Sequence, residues 1–173
     1  GGGVTVSGGE PLMQPEFVKD IFQSCHELGI HTALDTSGYV GLNAAKPVLD
    51  HADLVLLDIK SFDRKIYEEV THVSLEPTLN FARYLNEIQK PTWIRFVLVP
   101  GLTDSINNVT GLAEFIAPFD NVEKVEVLPF HKMAEYKWKQ LGYDYRLKET
   151  KPPSDELLQQ TINIFKSHNL VVH

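Results

Sequence analysis

The sequence predicts an α/β fold, a partial (β/α) barrel of TIM type with parallel strands, on three observations. β-branched and apolar runs alternate with amphipathic helical patterns over about 20 to 40 residues, the spacing of right-handed βαβ units rather than of hairpins. Polar or glycine residues stand at, just past, or on a face leading to the end of each strong run. A doubly wound sheet places such residues only beside its switch point, whereas a barrel brings every strand end to one mouth. Finally, Leu56, Asp58 and Lys60 share one face of their run, and Trp93, Arg95 and Val97 share one face of theirs.

The elements follow in order. Residues 4–7 are a short β-branched run suited to a buried parallel strand, preceded by Gly1, Gly2 and Gly3. A buried strand needs neighbours on both sides, so the opening reads as a piece of a larger fold. Its unpaired edge is expected to pair or make unusual contacts around 4–7. Helix 16–28 carries Phe17, Val18, Ile21, Phe22, Cys25 and Leu28 at three- and four-residue steps, after Pro15 and before Gly29. Further strands are expected at 31–36, 54–60, 93–99, 124–128 and 170–172, and helices at 43–49, 64–70, 77–88, 107–116 and 154–166, the last opening on Ser154 and Asp155 as a cap. The Lys-, Tyr- and Trp-rich stretch 133–145 reads as a loop or short helix beside the mouth. No repeat or linker interrupts the 173 residues, which are expected to form one domain.

Composition narrows the function classes. The chain has 16 basic and 23 acidic residues and a net charge of -7, which disfavours nucleic acid and anionic lipid as partners. Its apolar stretches fall short of the ~20 residues that span a membrane. The first residues lack a basic n-region followed by an apolar h-region, so cytoplasm is the expected compartment. The single cysteine, Cys25, excludes an intrachain disulfide and a multi-cysteine metal site built from these residues alone.

The candidate site residues are those of the strand ends, and each has a plainer reading. Gly8 and Gly9 serve either a tight turn or the close approach of a ligand to backbone amides. Asp35, in Asp35-Thr36-Ser37-Gly38, is by type a turn or capping residue. Asp58 and Lys60, two apart on one strand, make a structural ion pair as readily as a catalytic one. Arg95 is harder to set aside, because a guanidinium inside an apolar strand needs a carboxylate from the protein or from a ligand. His131 follows Pro129 and Phe130 as one of seven histidines, and His26 and His31, five apart with Gly29 between them, share no helix face for a metal. Two carboxylates, a lysine, an arginine, a histidine and exposed glycine amides suit a zwitterionic ligand with an amino group and a carboxylate. The residues by themselves stop short of a reaction.

Taken together, Gly1 through Pro11 (GGGVTVSGGEP), Gly29-Ile30-His31-Thr32 leading to Leu34-Asp35-Thr36, DLVLLDIK at 53–60, WIRFVLVPG at 93–101, LPFH at 128–131 and Lys151-Pro152-Pro153 resemble the radical S-adenosylmethionine superfamily. Within it they resemble the activases of pyruvate formate-lyase. The resemblance implies that the Gly8-Gly9-Glu10 turn receives the amino group of S-adenosylmethionine, and that Asp58, Ile59, Lys60 and His131 also bind this cofactor. Arg95 is implied to face the cofactor's polar groups or the incoming substrate loop. Asp35, Thr36, Asp58 and the carbonyl of Leu56 are implied to form a monovalent-cation site. The family's three-cysteine motif, which holds a 4Fe-4S cluster, is absent from these residues, so the barrel is expected to lack its first βα unit.

For the full-length protein the resemblance implies reductive cleavage of S-adenosylmethionine, with abstraction of a glycine Cα hydrogen from pyruvate formate-lyase or a similar glycyl radical enzyme. An electron donor such as flavodoxin is implied, no residue acts as acid or base, and this chain alone is expected to be inactive. Three rivals are carried: a Schiff-base lyase or aldolase using Lys60 with Asp58 as proton shuttle, the activase of another glycyl radical enzyme or of anaerobic ribonucleotide reductase, and a non-catalytic docking domain.

Overall fold

A computed structural model describes residues 2–173; Gly1, the first glycine of the opening run, lies outside the described residues. Five strands, β1 (Gly3–Val6), β2 (His31–Thr36), β3 (Leu54–Asp58), β4 (Thr92–Leu98) and β5 (Val122–Pro129), pair in parallel. They stand side by side in chain order. That order decides the architecture. A singly wound sheet sends every right-handed crossover over the same face, so it curls into an arc of barrel and has no switch point.

The crossovers are α1 (Pro15–Glu27), α2 (Leu42–Leu49), α3 (Arg64–Thr71) with α4 (Glu76–Glu87), and α5 (Ile106–Ile116); α6 (Glu135–Gln140) and α7 (Asp155–Ser167) follow β5. Polar side chains start several of them. Asp63 accepts from the amides of Lys65 and Ile66, Ser105 from that of Asn108, and Ser154 from that of Leu157.

Burial alternates strictly along β4. Thr92, Ile94, Phe96 and Leu98 are buried, while Trp93, Arg95 and Val97 are half-buried. One sheet face therefore packs under the helices, with Phe22, Leu34, Val55, Leu57, Ile94, Phe96 and Phe165 in the core, and the other face stays open. Each fully buried side chain of this kind contributes about 1.5–3 kcal/mol, which fixes the register of every strand.

Four expectations need correction. The opening strand is not buried: Gly3 and Thr5 are exposed and Val4 and Val6 half-buried, because β1 stands at the edge of the sheet among the described residues. The stripe on α1 is narrower than its spacing suggests: Val18, Phe22 and Cys25 are buried, but Phe17 is 63% and Leu28 75% exposed. Both diverge from the line set by 18, 22 and 25, where neighbouring elements reach the helix. Strand 170–172 is a single bridge, Val125 with Val172. Around it the Val125 amide donates to Val171 at 2.8 Å and that of Val127 to His173 at 3.1 Å, so the chain end zips part of the β5 edge. The third strand ends at Asp58 rather than at residue 60. Among the described residues no helix is long and apolar enough to cross a membrane.

Candidate functional site

The polar side chains of the open face lie in register. Asp35 is paired with Leu56, Leu56 with Trp93 and Trp93 with Lys124; one step up, Asp58 is paired with Arg95 and Arg95 with Glu126. Because side chains on paired parallel strands share a face, the strand pattern alone gathers Asp35, Asp58, Arg95, Lys124 and Glu126 on one surface.

Arg95 is the hub. Its Nη1 donates to Asp35 Oδ2 at 3.0 Å, spanning β3 to do so, and the Ser7 hydroxyl donates to the same oxygen at 2.8 Å. Arg95 Nε lies 3.6 Å from Glu126 Oε2, and is buried without a hydrogen-bond partner. Lys124 reaches the other Glu126 oxygen at 2.8 Å and lies 3.4 Å above the centroid of the Trp93 ring. Lys60 Nζ stands 3.0 Å from Asp58 Oδ2. The carboxylate that Arg95 requires thus comes from the protein, and three acids face three cations on one half-buried surface. Glu126 and Lys124 are absent from the residues singled out by sequence; their signal is the alternation of Lys124, Glu126 and Leu128 along β5.

Glu10 does something different from what its place in the glycine turn suggests. Its carboxylate accepts from the Thr36 hydroxyl at 2.7 Å, the Ser37 hydroxyl at 2.6 Å and amide at 3.0 Å, and the Leu12 amide at 3.2 Å. With four donors on two oxygens the side chain is a clasp between the β1 turn and the end of β2. Gly8, at φ 143, turns the chain in a conformation that a side chain resists, and a Cβ on either Gly8 or Gly9 would meet nothing within 4 Å. The clasp therefore holds an uncovered stretch of backbone.

A buried relay supports the clasp from the helix side. The Tyr67 hydroxyl lies 2.9 Å from the Thr78 hydroxyl, which donates to the Ser37 carbonyl at 2.8 Å. Burial pushes the Tyr67 phenol up; the Thr78 hydrogen bond opposes this, and the charge of Asp58 adds to it.

The remaining candidates are placed apart. Thr36 points to the face opposite Asp35, its hydroxyl taken by Glu10 and by the Gly38 amide at 3.0 Å. The Ile59 side chain is fully buried among core residues, and its amide donates to the Arg95 carbonyl at 3.1 Å. His131 is exposed beyond β5, its Nδ1 accepting from the Met133 amide at 3.4 Å. Among the described residues no group of three or more His, Cys, Asp or Glu side chains is placed to hold a metal ion. The open face thus offers carboxylates, an ammonium, a guanidinium and uncovered backbone to a ligand that carries both charges.

The profile of the Radical SAM superfamily matches residues 1–112. The chain is 42% identical over 172 residues to the pyruvate formate-lyase 1-activating enzyme of Escherichia coli (strain K12), covering 97% of this chain and 69% of that protein. It is 44% identical over 166 residues to the pyruvate formate-lyase-activating enzyme of Staphylococcus epidermidis, covering 92% of this chain and 66% of that one. The crystal structure of a domain of pyruvate-formate lyase-activating enzyme from Bacteroides vulgatus superposes with a TM-score of 0.84 at 31% identity, over 100% of this chain and 98% of that one.

Proposed function

The chain belongs to the Radical SAM superfamily, and from that premise we propose that its open sheet face receives S-adenosylmethionine, in an activase that places a radical on a glycine of pyruvate formate-lyase or a similar glycyl radical enzyme. The carrying observation is the uncovered Gly8–Gly9 backbone, clasped by Glu10, beside a face that holds Asp35, Asp58, Lys60 and Arg95.

These residues fit the ligand. Backbone carbonyls of the Gly8–Gly9 turn accept from its amino group, and Lys60 and Arg95 meet its carboxylate. Asp35 holds Nη1 and Nε faces Glu126, so Nη2 is the guanidinium nitrogen left for the ligand. Asp58 faces the positive end of the ligand, and His131 reaches it from the rim. Ile59 contributes by its backbone, since its side chain belongs to the core. When bound and reduced by one electron, S-adenosylmethionine supplies the hydrogen-abstracting chemistry; the residues of this chain orient it and exclude water, and none need move a proton. A monovalent cation beside the ligand carboxylate would take Asp35, Asp58, the Leu56 carbonyl and the backbone oxygen of Thr36, whose hydroxyl is engaged elsewhere.

The 4Fe-4S cluster that the family implies does not fit these residues. It needs three thiolates, and Cys25, the sole cysteine, is buried in α1. The thiolates would have to come from outside the 173 residues. The proposal extends to an electron donor such as flavodoxin and to a cytoplasmic setting. The aldolase alternative would use the same Lys60–Asp58 pair, 3.0 Å apart, and gives way to the family membership rather than to geometry.

The test is heteronuclear NMR of this chain titrated with S-adenosylmethionine. We expect saturable shifts of Gly8, Gly9 and Arg95, with a dissociation constant of about 0.1–1 mM in the absence of a cluster, weakened about 10-fold by Asp58→Asn. Shifts confined to other faces, or none at several millimolar ligand, overturn the reading.

A further inference from the structure

We infer that residues 132–148, at the rim beyond β5, form a docking surface for an acidic segment of a partner protein. The inference rests on the reading of this chain as one that acts on another protein, and it assigns that partner a second contact outside the open sheet face.

Charge is the first support. Six of the 16 basic residues and only three of the 23 acidic ones fall within 131–151, so this stretch carries +3 in a chain of net charge -7. Charge asymmetry of this kind marks a surface that faces an opposite field. Lys137, Lys139 and Arg146 have no ion-pair partner among the described residues, whereas Lys148 is paired with Asp144. The cations left over are available to something else.

Apolar surface is the second. Trp138 is 44% exposed although it packs against Tyr143 and Tyr145 at ring-centroid distances of 6.2 and 5.9 Å. Tyr136 and Leu141 are also exposed, and α6 has no buried residue. A helix whose aromatic residues hold each other in place without entering a core has the composition of an interface centre, in which Trp, Tyr and Arg dominate. Lys132, Lys139 and Lys148 with Tyr136, Tyr143 and Tyr145 line one cleft of this surface, three cations against the single carboxylate of Glu135. Such a lining suits carboxylates set among apolar side chains.

Position is the third. Trp138, Tyr145 and Leu147 line a second cleft together with Pro100, Gly101 and Leu102, the loop that leaves β4 at the end where the polar strand ends converge; Glu69 and Asp144 also line it, so the apolar side chains rather than the charges of this cleft serve the partner. A protein segment seated on the rim is therefore held beside the open face without occupying it. Nucleic acid also favours basic aromatic surfaces, but the acidic remainder of the chain repels a long polyanion and leaves a short acidic segment as the better match.

The probe is a fluorescently labelled random glutamate–tyrosine copolymer, followed by anisotropy at low and moderate salt. We expect saturable binding that weakens with salt and falls about 10-fold in a Lys137→Glu, Lys139→Glu, Arg146→Glu variant. It should also fall in Trp138→Ala and stay unchanged in a Lys65→Glu, Lys166→Glu control, which alters net charge elsewhere. Absence of saturable binding, an equal loss in the control, or tighter binding of oligothymidine through the same residues overturns the inference. Capture of pyruvate formate-lyase on a sensor surface is measured in parallel. Copolymer binding without capture tells against the activase reading alone, and capture that survives the triple reversal tells against the rim surface alone.

Discussion

Arg95 on β4 spans β3 to place its Nη1 3.0 Å from Asp35 Oδ2 on β2, with side chains only 25% and 16% exposed. Removing Arg95 leaves the half-buried Asp35 with only the Ser7 hydroxyl, and removing Asp35 leaves Arg95 with only the longer 3.6 Å pair to Glu126, so either loss costs more than the pair itself contributes. Arg95→Ala and Asp35→Asn are each expected to lower unfolding free energy in urea by about 1–3 kcal/mol, with the double variant less than the sum. Additive losses would show that the two side chains do not couple.

Glu10 concentrates four donors on one carboxylate. Glu10→Ala strands them and is expected to cost about 2–4 kcal/mol, and Glu10→Gln about half as much because one acceptor oxygen remains. Hydrogen exchange should accelerate first at the Leu12 and Ser37 amides. Unchanged protection there would show that the clasp does not govern the turn.

Two glycines separate backbone strain from packing. Gly38 has φ 68 and a Cβ there would meet Phe81 at 2.5 Å, whereas Gly8 has φ 143 and open space around it. Gly38→Ala combines strain with overpacking and is expected to cost about 2–4 kcal/mol; Gly8→Ala carries the strain of about 1 kcal/mol alone. Equal thermal shifts for the two would contradict this.

Asp53 sets part of the acid limb of stability. Burial pushes its carboxyl up, but the Thr32 amide at 2.7 Å, the Thr32 hydroxyl and His26 together hold it below the ordinary range. A group depressed in the folded state contributes stability that is present above the unfolded value and lost as pH falls through the folded one. The Asp53→Asn variant should therefore lose less stability than the parent between about pH 5 and 2. Parallel denaturation curves for the two proteins across that range would refute the assignment.

Much of this was readable from residue order. The need of Arg95 for a carboxylate, the shared face of Asp58 and Lys60 and the buried position of Cys25 all follow from period and polarity. What could not be read depends on register between distant strands. The Glu10 clasp joins residues 26 and 27 positions apart, and nothing local distinguishes Glu10 from an open site carboxylate. Glu126 and Lys124 were hidden for a related reason: charged residues alternating on β5 look like a solvated edge until β4 sets Arg95 beside them. The exposure of Phe17 and Leu28 depends on which neighbours reach α1, and hydrophobic spacing does not contain that information.

Fastening of the glycine turn by Glu10 has a calorimetric corollary. On the proposed reading, in which the glycine turn receives S-adenosylmethionine, the loss of chain freedom at Gly8 and Gly9 is settled during folding, so association starts from a seat already shaped. The heat of binding at that turn should accordingly run with little opposing configurational entropy, and loosening the clasp by Glu10→Ala should surface as a more unfavourable entropy of association rather than as a weaker enthalpy.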